Sequence, residues 1–157
     1  LLLKVKQAGL SDTAVIGVYI FYNLVYALFA LLAGILADRL GLKKVLIAGL
    51  YLFVLVYAGM AVNSSWYGFL ALFFVYGLYA AATEGISKAW LSNMVQQKDM
   101  ATALGTFAAF QSIATMLASS LAGLIWFYLG PTTAFIFTAV VTLVVAAYFV
   151  WLYKTID

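Results

Sequence analysis

Glu84 is the one acidic residue that lies inside the long apolar runs of this chain, which makes it the first candidate for chemistry. Lys88 follows four residues later, so on a helix the two side chains would share a face and pair. An ionised carboxylate in the middle of a bilayer costs roughly 2.5 kcal/mol or more. That cost favours a structural pairing of Glu84, either with Lys88 or with the basic segment after the first apolar run. A role in proton coupling is the alternative.

Other reactive side chains are scarce. The chain contains no cysteine and no histidine, which removes disulfides, thiolate nucleophiles and the common imidazole ligands of metals. We therefore expect no metal site and no cofactor. No GxxxxGK[ST] sequence is present, so nothing indicates ATP hydrolysis. A membrane enzyme would need paired acids, a histidine or a nucleophile dyad, and the sequence therefore predicts a protein that is not an enzyme.

A second group of candidates consists of polar and aromatic side chains at helical spacing within the apolar runs. They are Tyr19, Tyr22, Asn23 and Tyr26 in the first run, Tyr76 and Tyr79 in the third, and Gln111 in the fourth. Side chains at i, i+3, i+4 and i+7 share one face of a helix. In lipid such a face should meet protein or a cavity, so these residues either pack helices together or line a substrate path.

The elements that must position these side chains follow from composition. Of the 157 residues 68% are hydrophobic and 8% are charged, whereas soluble domains carry about 25% charged residues. The chain should therefore have the lipid bilayer as its partner, and its net charge of +3 does not indicate nucleic acid. We predict an all-α membrane protein, one partial transmembrane domain over 1–157. Its bundle of five helices spans about 13–37, 45–62, 66–86, 101–129 and 131–153. The chain begins without Met, so we expect a fragment.

The basic residues predict the orientation of this bundle. One side would carry Arg39, Lys43, Lys44, Lys88, Lys98 and Lys154, and the other only Lys4 and Lys6. Loops rich in Lys and Arg face the cytoplasm. We therefore expect the C-terminus and the turn between the first two spans to be cytoplasmic. The second and fifth spans carry few polar side chains, and we expect them to face lipid.

The turn between the first two spans combines charge with tight geometry. Asp38 lies at the C-terminal end of the first helix, where the helix dipole disfavours an anion. The N-terminus of another helix would be a suitable partner, because it presents free N–H groups. Gly41 permits a tight reversal, and Gly34 permits close approach of a second helix. A solvated turn with a plain topology signal is the alternative.

This turn resembles the cytoplasmic loop signature of the major facilitator superfamily. The pattern matches at Gly34, Leu36, Ala37, Asp38, Arg39, Gly41, Lys43 and Leu46. It departs at Leu42, where the family usually has Arg or Lys. Lys43 or Lys44 would supply the basic side chain in its place. The resemblance implies that the five spans are helices eight to twelve of a twelve-helix fold. It also implies that residues 1–10 end helix seven and that an N-terminal six-helix half is the missing partner.

The function that this resemblance implies is secondary active transport of a small solute by alternating access, in a bacterial-type inner membrane. The signature loop would then act in gating, and coupling to protons is one option. The alternative is a truncated or accessory helical subunit without transport activity of its own.

Overall fold

The computed structural model describes the backbone of residues 1–156 and, within them, the side chains of all but residues 153, 155 and 156. The described part is helical: α1 is Leu2–Gln7, α2 Asp12–Leu40, α3 Leu42–Val62, α4 Trp66–Ser92, α5 Met100–Leu129 and α6 Pro131–Ile156. A single 3₁₀ turn, Gln97–Asp99, precedes α5. The helices α2 to α6 are long and apolar enough to cross a membrane, which confirms the predicted all-α fold with five spans.

Local sequence explains where α2 begins and ends. The Ser11 hydroxyl accepts a hydrogen bond of 3.3 Å from the Ala14 N–H, so one free donor of the first turn is satisfied. At the other end Gly41 adopts φ +96°, a conformation that other residues rarely adopt, and its N–H donates to the Ala37 carbonyl. Only Gly41 separates α2 from α3. Asp38 therefore lies in the last turn of a helix and not in a loop.

The helix α4 extends past the limit of about residue 86 that hydropathy suggested. It continues to Ser92, so Glu84 lies about two turns before its end. The hydroxyls of Ser87 and Ser92 donate to the carbonyls of Thr83 and Lys88, one turn back on the same helix. A charged residue such as Lys88 ends the apolar run in the sequence, but the backbone hydrogen bonds of the helix continue past it.

The bundle is organised around α3 and α4. The helix α4 packs against α2 and α3, α3 packs also against α6, and α5 contacts mainly α6. One buried cluster joins the ends of the helices near the α3–α4 turn, and it contains Val5, Val18, Val56, Met60, Ala61, Phe69, Phe73 and Phe135. A second, smaller cluster lies near the α2–α3 turn and contains Ala37, Val45, Ala82 and Ile86.

The expectation that the second span faces lipid is wrong for one side of α3. Val56 and Met60 are fully buried, and α3 lies against both α4 and α6. Hydropathy does not reveal that this side of α3 is packed against protein, because an apolar side chain can face either lipid or another helix at similar cost. The helix α6 fits the expectation better, since Val140, Val144 and Tyr148 are exposed.

An ion pair joins the short helix α1 to the start of α2. Lys6 Nζ lies 2.8 Å from a carboxylate oxygen of Asp12, and both side chains are largely exposed. The hydrogen bond and the negative charge of Asp12 raise the pKa of Lys6 above its ordinary value. The pair lies outside the apolar part of the bundle and holds the α1–α2 connection.

Candidate substrate cavity

A cavity of about 580 Å³ opens between α1, α2, α3 and α4. Its lining contains Leu1, Leu2, Leu3, Tyr19, Tyr22, Asn23, Tyr26, Tyr57, Phe73, Tyr76 and Glu84. This volume lies within the range of about 300–1,000 Å³ that is typical of small-molecule sites. The structure thus brings the predicted tyrosine and asparagine stripe of α2 to the same space as Tyr76 of α4.

The tyrosine rings form a connected aromatic wall. Tyr22 and Tyr76 have ring centroids 5.0 Å apart across the α2–α4 interface, and Tyr19 lies 6.1 Å from Tyr22 along α2. On the far side of Tyr76, Tyr79 lies 5.5 Å away and turns its edge toward Phe53 at 4.8 Å. Tyr79 therefore packs between Tyr76 and Phe53 and is not among the residues that line the cavity. We had expected it on the substrate path.

Several polar side chains of the spans are satisfied on their own helices. The Asn23 amide donates to the Tyr19 carbonyl at 2.8 Å, and the Thr83 hydroxyl donates to the Tyr79 carbonyl at 2.8 Å. Bonds of this kind, from a side chain to the carbonyl one turn back, remove much of the cost of a polar group in an apolar region. The Asn23 amide therefore needs less compensation from water or a ligand than an unpaired amide in an apolar region would need.

Glu84 faces α2. It lines the cavity together with Tyr22 and Tyr26 of α2 and Tyr76 of its own helix. Among the residues that the structure describes, no ion pair joins Glu84 to Lys88, so the structure does not form the candidate charge pair. An exposed i, i+4 pair is worth only about 0.3–0.5 kcal/mol, so little stability is lost when it does not form.

Gln111 does not reach this cavity. It lies exposed on α5, a helix without any buried residue, which contacts α6 and only weakly α4. The sequence predicted Gln111 at a depth in the membrane similar to that of the other candidates. Depth does not determine on which side of the bundle its helix lies.

Tyr57 is a cavity residue that sequence reasoning missed. It comes from α3, stacks on Phe53 with ring centroids 4.1 Å apart, and lines the cavity beside Phe73. The available signal was the Phe53–Tyr57 spacing of four residues, which places two aromatic rings on one face of the second span. That face points toward α4 and not toward lipid.

The signature turn lies at one end of the α2–α4 interface. Asp38 and Gly34 border a smaller groove of about 190 Å³ that also contains Tyr26 and Gly85. Tyr26 therefore borders both this groove and the large cavity. The part of the chain that the structure describes gives Asp38 no ion pair. Lys43 lies in a separate apolar groove beside Trp90, and Lys44 and Arg39 are exposed.

Among the side chains that the structure describes, no three acidic, cysteine or histidine residues come together in a group that could hold an ion. What the chain offers instead is an aromatic wall with one carboxylate, held between membrane-crossing helices. These features define an integral membrane protein with a solute-sized polar cavity.

Comparison with known proteins identifies the family. The model of the Major Facilitator Superfamily matches residues 2–157, and the chain belongs to this family. It is 34% identical over 129 residues to an uncharacterized MFS-type transporter of Methanocaldococcus jannaschii, an alignment that covers 82% of this chain and 32% of that protein. The chain thus corresponds to a minor part of its relative's length. No solved structure matches it.

Proposed function

We propose that this chain forms the C-terminal half of a secondary transporter that moves a small solute across the membrane by alternating access. The observation that carries the proposal is the tyrosine-lined cavity between α2, α3 and α4, in a chain that belongs to the major facilitator superfamily. In transporters of this kind two helical halves rock about a site near the middle of the membrane. An N-terminal six-helix half would supply the opposite wall.

Asp38 has the gating role in this proposal. It stands at the negative end of the α2 dipole, where an anion is disfavoured, and the described residues do not pair it with a cation. A helix N-terminus of the other half would offset this cost with free N–H groups in the state closed toward the turn. Opening that side would separate the two, so Asp38 would stabilise one state selectively.

The membrane and the orientation belong to the same proposal. The basic residues of the α2–α3 turn and of the segment after α4 favour a cytoplasmic position for that side of a plasma membrane of bacterial type. The exposed positions of Arg39, Lys44 and Lys98 agree with contact with solvent or lipid headgroups there. Transport driven by a proton gradient is the coupling mode to test first, with Glu84 as the acid in the described cavity lining.

Cysteine accessibility tests alternating access without knowledge of the substrate. Asn23→Cys and Tyr76→Cys are introduced singly into the full-length protein, from which any cysteines outside this chain have been removed. A membrane-impermeant thiol reagent is then applied to right-side-out and to inverted vesicles. Val144→Cys on α6, a position that is 63% exposed on the outside of the bundle, serves as the control.

The expected result is labelling of residues 23 and 76 from both sides and no labelling of residue 144. Freezing one state with a cross-link should abolish labelling from one side only. Labelling from neither side would make the tyrosine stripe a packing surface, and unchanged labelling in the cross-linked protein would contradict alternating access. A protein that labels from both sides and also dissipates a salt gradient would be a pore.

A further inference from the structure

We infer that the cavity wall formed by this chain binds an organic cation that carries apolar or aromatic groups. The inference rests on the proposed function for its role in transport, but the binding site itself stands on the cavity that Glu84 lines together with the tyrosines of α2 and α4. It specifies the class of ligand, which membership of the family leaves open.

Charge is the first argument. Glu84 is the only charged side chain in the described lining of the cavity, and neither Lys nor Arg is among the lining residues. An anionic ligand would meet this carboxylate without any compensating cation. A cationic ligand would instead offset the cost of holding a carboxylate among membrane-crossing helices.

The arrangement around Glu84 is the second argument. The carboxylate borders the same cavity as the Tyr26 hydroxyl and the rings of Tyr22 and Tyr76. A carboxylate in the lining of an aromatic cavity can meet a cationic ligand directly, with the rings beside it. Glu84 is exposed, which leaves its oxygens accessible to a ligand.

The aromatic wall is the third argument. Tyr19, Tyr22 and Tyr76 are tilted relative to one another, with interplanar angles of 39° and 32° between successive rings, and do not stack flat. Tilted rings 5.0–6.1 Å apart present faces and edges to the same space. A cation within about 6 Å of a ring centroid is attracted by the negative face of the ring. The same rings provide apolar contact area for the rest of the ligand.

The wall is a poor match for sugars and other polyhydroxylated solutes. Such ligands need several amide and carboxylate partners, and the lining offers one amide, that of Asn23. One donor of that amide is already used by the Tyr19 carbonyl. Besides the tyrosine hydroxyls, the lining offers one carboxylate among aromatic rings, a combination that favours a bulky monovalent cation over a neutral polar solute.

Equilibrium dialysis of the full-length protein in detergent provides the test, with labelled tetraphenylphosphonium as the probe. Tetraphenylborate, which has nearly the same shape and the opposite charge, controls for partition into the micelle. The wild type should bind the phosphonium saturably and should not bind the borate. Glu84→Gln should weaken phosphonium binding by about tenfold, since it removes the charge but keeps the shape. Tyr76→Leu should weaken it by about fivefold through loss of one ring.

Two matched substitutions keep the test specific. Asp99→Asn removes a carboxylate from the 3₁₀ turn outside the cavity, and Tyr148→Leu removes an exposed ring from α6. Both should bind like the wild type, and all variants should show wild-type gel filtration profiles. If Glu84→Gln and Asp99→Asn bind the phosphonium alike, or if the borate binds as well as the phosphonium, the inference is overturned.

The outcome is separable from that of the cysteine experiment. Two-sided labelling of residues 23 and 76 together with absence of phosphonium binding would leave the proposed transporter intact and remove the cation assignment. Binding that depends on Glu84, in a protein that shows no two-sided labelling, would retain the cation site and remove alternating access.

Discussion

Gly77 of α4 lies directly against Val25 of α2. A Cβ atom placed on residue 77 would come within 2.7 Å of Val25 Cγ1 and within 3.1 Å of the Tyr22 carbonyl oxygen. Both neighbours belong to the helix that carries the tyrosine stripe. Because residue 77 has no side chain, α2 and α4 can approach closely. This close approach allows the ring centroids of Tyr22 and Tyr76 to lie 5.0 Å apart.

Gly77→Ala should force α2 and α4 apart. Because the added methyl group meets backbone and a β-branched side chain, we expect a loss of about 1–3 kcal/mol in unfolding free energy. Gly85→Ala on the same helix is the control, since a Cβ there meets nothing within 4 Å, and it should be neutral or stabilising by up to about 1 kcal/mol. Thermal unfolding of the full-length protein in detergent measures both. Equal melting temperatures for the two variants would show that the close approach is not required.

Asp38→Asn should open the side of the transporter at the α2–α3 turn. It removes the anion that a helix N-terminus would hold, an interaction worth roughly 0.3–1 kcal/mol, and should leave expression intact. Labelling of Asn23→Cys from that side should therefore become about two- to fivefold faster. Asp99→Asn, a carboxylate on the same side of the bundle but outside the turn, should leave the labelling rate unchanged. An unaltered rate in Asp38→Asn would reduce Asp38 to a solvated residue.

Tyr57 and Leu55 test the orientation of α3. Tyr57 lines the cavity, whereas Leu55 is 56% exposed on another face of the same helix. A water-soluble thiol reagent should modify Tyr57→Cys and spare Leu55→Cys, because a thiol within hydrocarbon meets little water. Mass spectrometry of the labelled full-length protein gives the extent of reaction. The reverse pattern would mean that α3 is rotated relative to the structure.

Topology can be tested with a reporter that is active only in the periplasm. Fused after Asp157, which lies outside the described residues, the reporter should be silent, since six of the eight basic residues mark that side as cytoplasmic. Inserted at Ser64, between α3 and α4, it should be active. Activity after Asp157 with silence at Ser64 would invert the orientation and the position of the signature turn.

The Lys6–Asp12 pair predicts a pH dependence at high pH. Asp12 raises the pKa of Lys6 in the folded protein above its ordinary value of 10.5, so the pair stabilises the fold fully below pH 10.5. That stabilisation is lost as the pH rises through the raised pKa. Lys6→Gln should therefore lower the melting temperature slightly at neutral pH, and the difference from wild type should vanish in strong base. Lys4→Gln is the control, and a difference that persists at all pH values would point to packing.

The sequence by itself determined the spans, the turns and the family. Apolar runs fix which segments can cross a membrane, since backbone groups in hydrocarbon must bond within their own helix. Gly41 marks the break between α2 and α3, and Gly130 and Pro131 mark the end of α5 and the start of α6, all at positions that the sequence identifies. The sequence also predicted the stripe from Tyr19 to Tyr26, because spacing along one helix determines which side chains share a face.

Only the tertiary structure decided which face meets which neighbour. It placed Glu84 in the cavity lining without an ion pair to Lys88, brought Tyr57 into the same lining, and left Gln111 outside it. In lipid the hydrophobic effect does not select among apolar faces, so close packing chooses the contacts, as where Gly77 admits Val25. That choice depends on the shapes of two helices at once, and the periodicity of either helix alone does not contain it.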